Sequence, residues 1–472
     1  VPCDEGLTRY YLGRLLWADL RYVPMEHVEA HLTVTTKPFR GDPEEMYLWE
    51  VKGDRVGVPR AWGLANLMAP WDTVEDRTAW QAADWGDLVW KFGEGWRPGQ
   101  YEAVKDLCEQ FLDPVTPPRC GLRLESPAGS GKTLMGLAVG CNLRTPTLVV
   151  VHKEDLCEQW WDTLDHFFPN ATRGHVQGDR WDWEDKHVVT AMAQTLYSRR
   201  AELPPGFKQR FGLVIYDEGH RYPARTFQHV LGMFPARYRL AVSATWRRGD
   251  GLDDVWDWHV GPVGHVARTE RLTGEYVQVR WKTRLRDSWF HFGGKLSTAT
   301  LLNCVVKQED YLKWLAEQCV KGVAAGRRVL LVSDRVSMLY RLWWMIPRLR
   351  PGTVAAAYCR SWPKDEGAAI EGKVPKKRAT VSKSELLLAK KAPIVLATYG
   401  MMAEGTDMPT LDTLIFGTPR AEVEQVVGRI QRPEGTKKPL LIVDPVFTTP
   451  YLEALGGKRA ETFDRLGFRR RT

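Results

Sequence analysis

Long apolar runs are missing from this 472-residue chain. No stretch of about 18 apolar residues occurs, which excludes a helix crossing a membrane. Paired cysteines are missing too. The eight cysteines (Cys3, Cys108, Cys120, Cys141, Cys157, Cys304, Cys319 and Cys359) are scattered. None forms a CxxC pair and none stands at zinc-ligand spacing with histidine, so reduced thiols are expected rather than a zinc core or a disulfide frame. The first residues, VPCDEGLTRYYLGRLL, lack the basic flank and apolar run of an export signal. A cytoplasmic location is therefore expected.

What is present is the composition of a folded protein, 44% hydrophobic and 26% charged. The length calls for two to four domains. The net charge of +8 is unevenly placed. Residues 1–94 hold ten Lys/Arg against sixteen Asp/Glu, a net of −6, which leaves +14 for the remainder. A basic surplus of that kind points to a polyanionic partner, because phosphate contacts supply most non-specific nucleic-acid affinity. Tryptophan is abundant at 21 residues, seven of them between Trp49 and Trp96. Core filling is the simpler reading of most of them; stacking on exposed bases is the sharper one.

Three patterns divide the chain. Residues 1–94 mix strand-like HLTVTT, MYLWEV and DRVGVP with Trp-rich helical pieces and carry no catalytic signature. From 95 to 268, β-branched strands alternate with helices: TLVVV (147–151), HVVTA (187–191), LVIYD (213–217) and LAVSA (240–244). From 269 to 448 the alternation returns in RVLLVSD (328–334), PIVLAT (393–398), TLIFG (413–417) and PLLIVD (439–444). Such alternation implies two parallel sheets covered by helices, expected to face a shared cleft. Residues 449–472 read as a basic final helix with a frayed end.

The chemistry starts at 126-SPAGSGKT-133, between strand-like GLRLES and helical LMGLAVG. That context suits a phosphate-binding loop. Gly129 and Gly131 let the backbone approach phosphate oxygens, helped by Ala128 and Ser130, and the following helix directs its N-terminal amides at the anion. Lys132 would reach the β- and γ-phosphates and Thr133 would ligate Mg²⁺. The strand LVIYD then runs into adjacent carboxylates, Asp217 and Glu218. Neighbouring carboxylates repel, and a metal with a nearby lysine resolves the repulsion. Asp217 would hold Mg²⁺ and Glu218 would deprotonate the attacking water. This strand is expected to lie beside the one that feeds the loop. Upstream, RPGQ places Arg97 and Gln100 before the loop, and the Gln100 amide has the donor and acceptor that suit an adenine edge. In SATWRRGDG (243–251), small hydroxyl residues could bond the acidic pair.

In order and spacing these motifs resemble those of the superfamily 2 helicases and translocases, over residues 95–448. RPGQ is similar to the Q motif, SPAGSGKT to motif I, LVVVHKEDLCEQW to motif Ia, VTAMAQTL to motif Ib, YDEGH to the DEAH box and SATWRRGDG to motif III with an R-x-D-G extension. ATYGMMAEGTDMP (397–409) is similar to motif V and QVVGRIQR (425–432) to motif VI. The R-x-D-G extension, the GRIQR form and YLWEVKGDRVGVPRAWG resemble the XPB-type translocases and the phage helicases that remodel branched DNA. Gly219 and Trp246 depart from the common residues at their places.

The resemblance implies two tandem RecA-like α/β domains behind an N-terminal α+β accessory domain, a candidate for junction recognition or strand separation. It implies ATP and Mg²⁺ as cofactors, with Gly405 and Asp407 also at the nucleotide. Arg429 and Arg432 would be arginine fingers, on one helical face with Gln425. His220, Ser243, Thr245 and Gln425 would couple the ATP site to the second sheet. His152, Lys153, Gln194, Thr195, Arg335, Thr398, Tyr399 and Gly400 would contact the nucleic-acid backbone, with GKVPKKR (372–378) adding charge. The expected activity is a monomeric, ATP-driven DNA helicase on forked or branched DNA, of 3′→5′ polarity, in a prokaryotic or phage-infected cell. A DEAH-type RNA helicase, the motor of a restriction or remodelling complex, and a nucleotide-gated binding protein are the alternatives. No nuclease constellation is recognisable in residues 1–94 or in the tail.

Overall fold

The computed structural model describes residues 9–35, 45–69, 72–86, 96–113, 121–127, 129–218, 229–244, 246, 252–267, 272–292, 295–363, 378–403, 408, 410–431 and 437–471. The chain divides into two compact units, Val1–Thr269 and Glu270–Thr472.

The first unit opens with β1 (Tyr10–Leu12), β2 (Leu16–Asp19), α1 (Met25–Leu32), the hairpin β3 (Thr33–Thr35) and β4 (Glu45–Tyr47), β5 (Glu50–Lys52), β6 (Arg55–Val58), α2 (Arg60–Asn66) and β7 (Val74–Asp76). Five of these strands form one sheet in the order β5-β6-β2-β1-β7. Alternation decides which face is inward: Tyr10, Leu12, Leu16, Ala18, Val56 and Val58 are buried.

Then come α3 (Gln100–Leu112), β8 (Leu122–Glu125), α4 (Lys132–Asn142), β9 (Thr147–Val151), α5 (Glu154–Phe167), β10 (Arg173–Gln177), β11 (Arg180–Asp182), β12 (Val188–Met192), α6 (Ala193–Ser198), β13 (Leu213–Asp217), β14 (Tyr238–Ser243), α7 (Asp254–His259) and β15 (Val263–Val266). They build an eight-stranded sheet, β11-β10-β12-β9-β13-β14-β8-β15, parallel except for the β10–β11 hairpin. The central strands are buried on both faces, which is why they read as unbroken Val/Leu/Ile runs rather than alternating ones.

One expectation is corrected by this order. The acidic strand β13 does not lie beside β8; β14 stands between them. Register keeps the three ends level, since Ser243 pairs with Glu125 and Asp217 with Val242.

Residues 1–94 do not stand apart from this sheet. The inward side chains of β1, β2 and β6 share one apolar core with Val150, Val189, Val214, Tyr216 and Trp256. Arg60, fully buried, donates from Nε to the Gly13 carbonyl (2.6 Å) and from Nη1 to that of Ala236 (2.7 Å). From the other side, buried Arg239 donates to the Arg14 carbonyl at 2.6 Å. Trp85 fills the core on the opposite face, against Phe168. The acidic segment is thus a structural layer of the first unit; its removal would bare the apolar surface it covers. Trp17, Trp62, Trp85, Trp160, Trp246 and Trp256 are all buried, as core filling predicts.

The second unit contains β16 (Gly274–Trp281), the ribbon β17 (His291–Phe292) and β18 (Lys295–Leu296), α8 (Thr298–Val306), α9 (Glu309–Ala324), β19 (Val329–Ser333), α10 (Val336–Leu349), β20 (Ala355–Tyr358), the ribbon β21 (Ser361–Pro363) and β22 (Arg378–Thr380), α11 (Lys383–Ala389), β23 (Ile394–Thr398), α12 (Tyr399–Ala403), β24 (Thr413–Phe416), α13 (Glu424–Ile430), β25 (Leu440–Phe447), α14 (Pro450–Arg465) and β26 (Arg469–Arg470). Seven of its strands form an all-parallel sheet, β20-β23-β19-β24-β25-β16-β26. The final residues are not a free tail. Arg469 and Arg470 pair with Glu275 and Tyr276, and Phe463 and Phe468 are buried.

Candidate nucleotide site

In an open parallel sheet, ligands bind outside the carboxyl ends of the strands. In the first unit that edge gathers the loops after β8, β9, β12, β13 and β14, and so most of the residues singled out from sequence.

The loop after β8 turns into α4 through Gly129 (φ +79°) and Gly131 (φ +88°). Both occupy the left-handed region, where side chains are strained. A second reason for Gly131 appears only in three dimensions: a Cβ there would lie 2.2 Å from Nε2 of Gln100. That amide is engaged at both ends. Gln100 Nε2 donates to the Ser130 carbonyl at 2.6 Å, and Oε1 accepts from the Arg97 amide at 2.9 Å. Arg97 itself donates to the Gly129 carbonyl at 3.0 Å. Gln100 is 4% exposed. One amide hydrogen and one lone pair of Gln100 are thus committed within the protein, where they brace the loop. Gln100→Leu should accordingly weaken ATP and GTP alike, by about 10-fold from the loss of one or two hydrogen bonds at a buried site. Competition binding of the two nucleotides checks this; a loss confined to ATP would favour the adenine reading.

Lys132 begins α4, with its ammonium 3.3 Å from the Ser126 carbonyl and 3.2 Å from Oε1 of Glu218. Glu218 has φ +47°, unusual for a residue with a side chain. Its amide donates to the Val242 carbonyl at 3.0 Å, which holds the strained backbone, and its Oε2 accepts from the Ser243 hydroxyl at 3.4 Å. Ser243 also accepts from the Ser126 amide at 2.9 Å. The intervening strand β14 thus bonds to the loop on one side and to the acid on the other. Ser126 and Ser130 are joined through their hydroxyls.

Asp217 is buried, and Oδ2 accepts from the indole N–H of Trp160 at 2.8 Å. Burial first, and the charge of Glu218 second, push its carboxyl up to about 7. Thr133 is 6% exposed, and its Oγ1 accepts from Gln159 Nε2 at 3.2 Å. A hydroxyl and a carboxylate are hard oxygen donors that suit Mg²⁺, and two carboxylates facing one lysine leave negative charge for a cation to meet. Among the described residues no cluster of three or more His, Cys, Asp or Glu could hold a metal. An ion of this kind takes most other ligands from water and phosphate. The residues present fit it.

The remaining edge positions are less uniform. Lys153 caps the start of α5, and the His152 carbonyl accepts from Gln194 at 3.2 Å. Thr195 is 8% exposed, and its hydroxyl accepts the Gly178 amide at 3.1 Å, which supports the β10–β11 turn. In the second unit, Thr398 ends β23 and Gly400 lies on α12, and a Cβ on Gly400 would meet nothing within 4 Å. Tyr399 is a correction: its ring is buried and its hydroxyl donates to the Thr418 carbonyl at 2.9 Å, making it a core residue. Arg335 caps α10 and donates to the Ala299 carbonyl at 3.0 Å. Arg429 is 4% exposed, and its Nε donates to the Met402 carbonyl at 3.0 Å, which ties α13 to α12. Gln425 lies half-buried on α13. Ala128, His220, Thr245, Gly405, Asp407, Arg432 and most of GKVPKKR lie outside the described residues.

Trp246, at the place where the motif commonly has proline, packs on Trp256 (5.5 Å between rings) with the Arg123 guanidinium 5.1 Å above it. Gln159 and Trp160 close the segment similar to motif Ia, but sequence reasoning gave neither a role at the nucleotide site. Both sit in an ordinary amphipathic helix pattern, and nothing in that pattern distinguishes them from packing residues.

Residues 94–248 match the family model described as the type III restriction enzyme, res subunit. A protein of Acanthamoeba polyphaga mimivirus, named as a candidate ATP-dependent RNA helicase, is 25% identical over 329 residues, 67% of this chain and 58% of that protein. The chain therefore spans little more than half the length of that relative. The DNA 3′-5′ translocase XPB2 of Sulfurisphaera tokodaii is 30% identical over 151 residues, 32% of this chain and 33% of that protein. A probable helicase of Escherichia phage T5 is 25% identical over 332 residues, 66% of this chain and 65% of that protein. Among solved structures, a variant of S. cerevisiae Dbp5 bound to RNA and ADP BeF3 has a TM-score of 0.50 at 13% identity, covering 81% of this chain and 95% of that one. That likeness agrees with RecA-like parallel sheets. In the order of its motifs and in these relatives the chain is similar to the superfamily 2 helicases, among them an XPB-type translocase and a phage helicase.

Proposed function

We propose that the chain is an ATP-driven helicase or translocase that acts on forked or branched DNA with 3′→5′ polarity. The observation that carries the reading is the convergence of Lys132, Thr133, Asp217 and Glu218 at one strand edge, with Lys132 and Glu218 only 3.2 Å apart. In it, the amides at the start of α4 bind triphosphate oxygens, and Lys132 stabilises the charge that grows on them during transfer. Glu218 accepts the proton of the attacking water, within reach of Lys132 and Ser243. Thr133 and Asp217 hold Mg²⁺, which when bound supplies positive charge to the phosphate oxygens. Ser243, bonded to both loop and base, reports the state of the site to the segment that follows β14, with His220 and Thr245 assigned by resemblance. The arginine-finger role falls to Arg429 and Arg432 by the same resemblance. Lys153, Gln194, Thr398 and Gly400 are the backbone-phosphate contacts, independent of base sequence. The +14 surplus beyond residue 94 favours a nucleic-acid partner, and the XPB2 relative, named as a DNA translocase, favours DNA.

One observation favours a second reading. The mimivirus relative, which covers more of the chain, carries an RNA helicase name. Stimulation of ATP hydrolysis by matched single-stranded, duplex, forked and four-way DNA and their RNA counterparts tests both. Forked or four-way DNA should stimulate most; greater stimulation by RNA forks would transfer the assignment to RNA, and no stimulation by any of them would end the motor reading.

A further inference from the structure

Two consecutive residues of α5, the last two of the segment similar to motif Ia, each hold one of the oxygen ligands proposed above. Gln159 Nε2 donates to Thr133 Oγ1 at 3.2 Å, and Trp160 Nε1 donates to Asp217 Oδ2 at 2.8 Å. Trp160 is 1% exposed and cannot shift. A Cβ on Gly136 would lie 2.9 Å from its Cη2 and 3.4 Å from Ile215 Cδ1, so the ring sits pressed between α4 and β13. An indole N–H donates and never accepts, so this contact favours the ionised carboxylate. Trp160 therefore holds Oδ2 and leaves Oδ1 unconstrained by it. Gln159 occupies one of two lone pairs on the Thr133 hydroxyl and leaves the other. Each ligand is gripped on a side a cation does not need. Partners that orient ligands in this way fix their rotamers before the ion arrives.

We propose that Gln159 and Trp160 are positioning residues that preset Thr133 and Asp217 for the divalent cation accompanying the nucleotide, so that α5 is part of the ATP site. The proposal rests on the reading of Thr133 and Asp217 as ligands. Neither residue touches nucleotide, and neither is expected to alter nucleotide binding without the cation.

The test measures the affinity of fluorescent mant-ADP for the full chain in Mg²⁺ and again in EDTA, with the thermal midpoint recorded alongside. The wild-type chain should bind more tightly in Mg²⁺, and Asp217→Asn should lose that gain. Trp160→Phe, which keeps an aromatic ring in the slot, and Gln159→Leu should each bind as wild type in EDTA. Their Mg²⁺-dependent gain should fall by about 10-fold or more, the usual loss when the partner of a metal ligand is removed. Should Trp160→Phe fold poorly, Gln159→Leu decides alone, because its side chain is exposed. A wild-type chain with no Mg²⁺-dependent gain would overturn the ligand reading itself. A wild-type gain that both variants retain, or equal losses with and without the cation, would leave that reading intact and reduce α5 to packing.

Discussion

Glu218→Gln is expected to lower nucleic-acid-stimulated ATP hydrolysis by at least about 100-fold, the span of general-base catalysis being roughly 10² to 10⁴. Nucleotide affinity should stay within a few-fold of wild type. The change is nearly isosteric, so the Ser243 hydroxyl keeps an acceptor or gains a donor, and the positive φ of residue 218 is untouched. What disappears is the proton acceptor, together with the charge 3.2 Å from Lys132. One of the two causes that push the Asp217 carboxyl up also disappears, because Glu218 repels it. Asp217 should therefore ionise more readily in the variant, and Mg²⁺-dependent binding should survive or strengthen. Steady-state turnover measured with mant-ADP binding on the same preparation separates the two effects. Turnover near that of wild type would place the base elsewhere.

The second large effect is on stability and lies in the second unit. Arg459, on α14, and Asp444, in β25, form an ion pair with side chains 1% and 0% exposed. Nε of Arg459 donates to Oδ1 at 2.8 Å, and Gln278 donates to Oδ2 at 3.0 Å. Arg459 also donates to the Arg420 carbonyl at 3.1 Å, fastening the last helix to the strand and to the loop before α13. Arg459→Met should destabilise this unit by about 3–5 kcal/mol, since it leaves a buried carboxylate with an amide as its partner. Adding Asp444→Leu should recover most of that loss, because a well-packed apolar pair often does as well as a buried ion pair. The pH dependence has a definite sign. Burial already raises the Asp444 carboxyl, and Arg459 opposes the rise. Without Arg459 the folded-state value climbs further above the unfolded one, so the deficit is full at neutral pH and shrinks as pH falls through the folded value. Denaturant unfolding of the single and double variants at neutral and mildly acid pH reads all three outcomes. An Arg459→Met chain as stable as wild type would show that Gln278 and the surrounding backbone suffice.

Much of the fold was legible because the strands of a doubly covered parallel sheet must be apolar throughout. TLVVV and LVIYD are strands at the predicted residues, Thr147–Val151 and Leu213–Asp217. The phosphate loop was legible for a similarly local reason: its glycines answer to backbone conformation, and Gly129 and Gly131 have the positive φ expected of them. Shorter elements with mixed side chains escaped notice. The β10–β11 hairpin, RGHVQ and RWD, has no apolar run, and β26 consists of two arginines paired with β16 at the edge of its sheet. Tyr399 and Arg429 are both buried, which their motif positions do not reveal.

The amino-acid order by itself determined which residues could meet a triphosphate: a lysine at a helix start, a hydroxyl beside it, and two acids at a strand end. These are properties of neighbours along the chain. Tertiary structure decided what stands between and behind them, because strand order and helix docking bring together residues far apart in sequence. Only the fold put Ser243 between loop and acid, turned the Gln100 amide onto Ser130, and set Trp160 against Asp217, 57 positions away. Each of those contacts depends on how a side chain's hydrogen-bonding capacity is satisfied once water is excluded, and that is settled by packing in space.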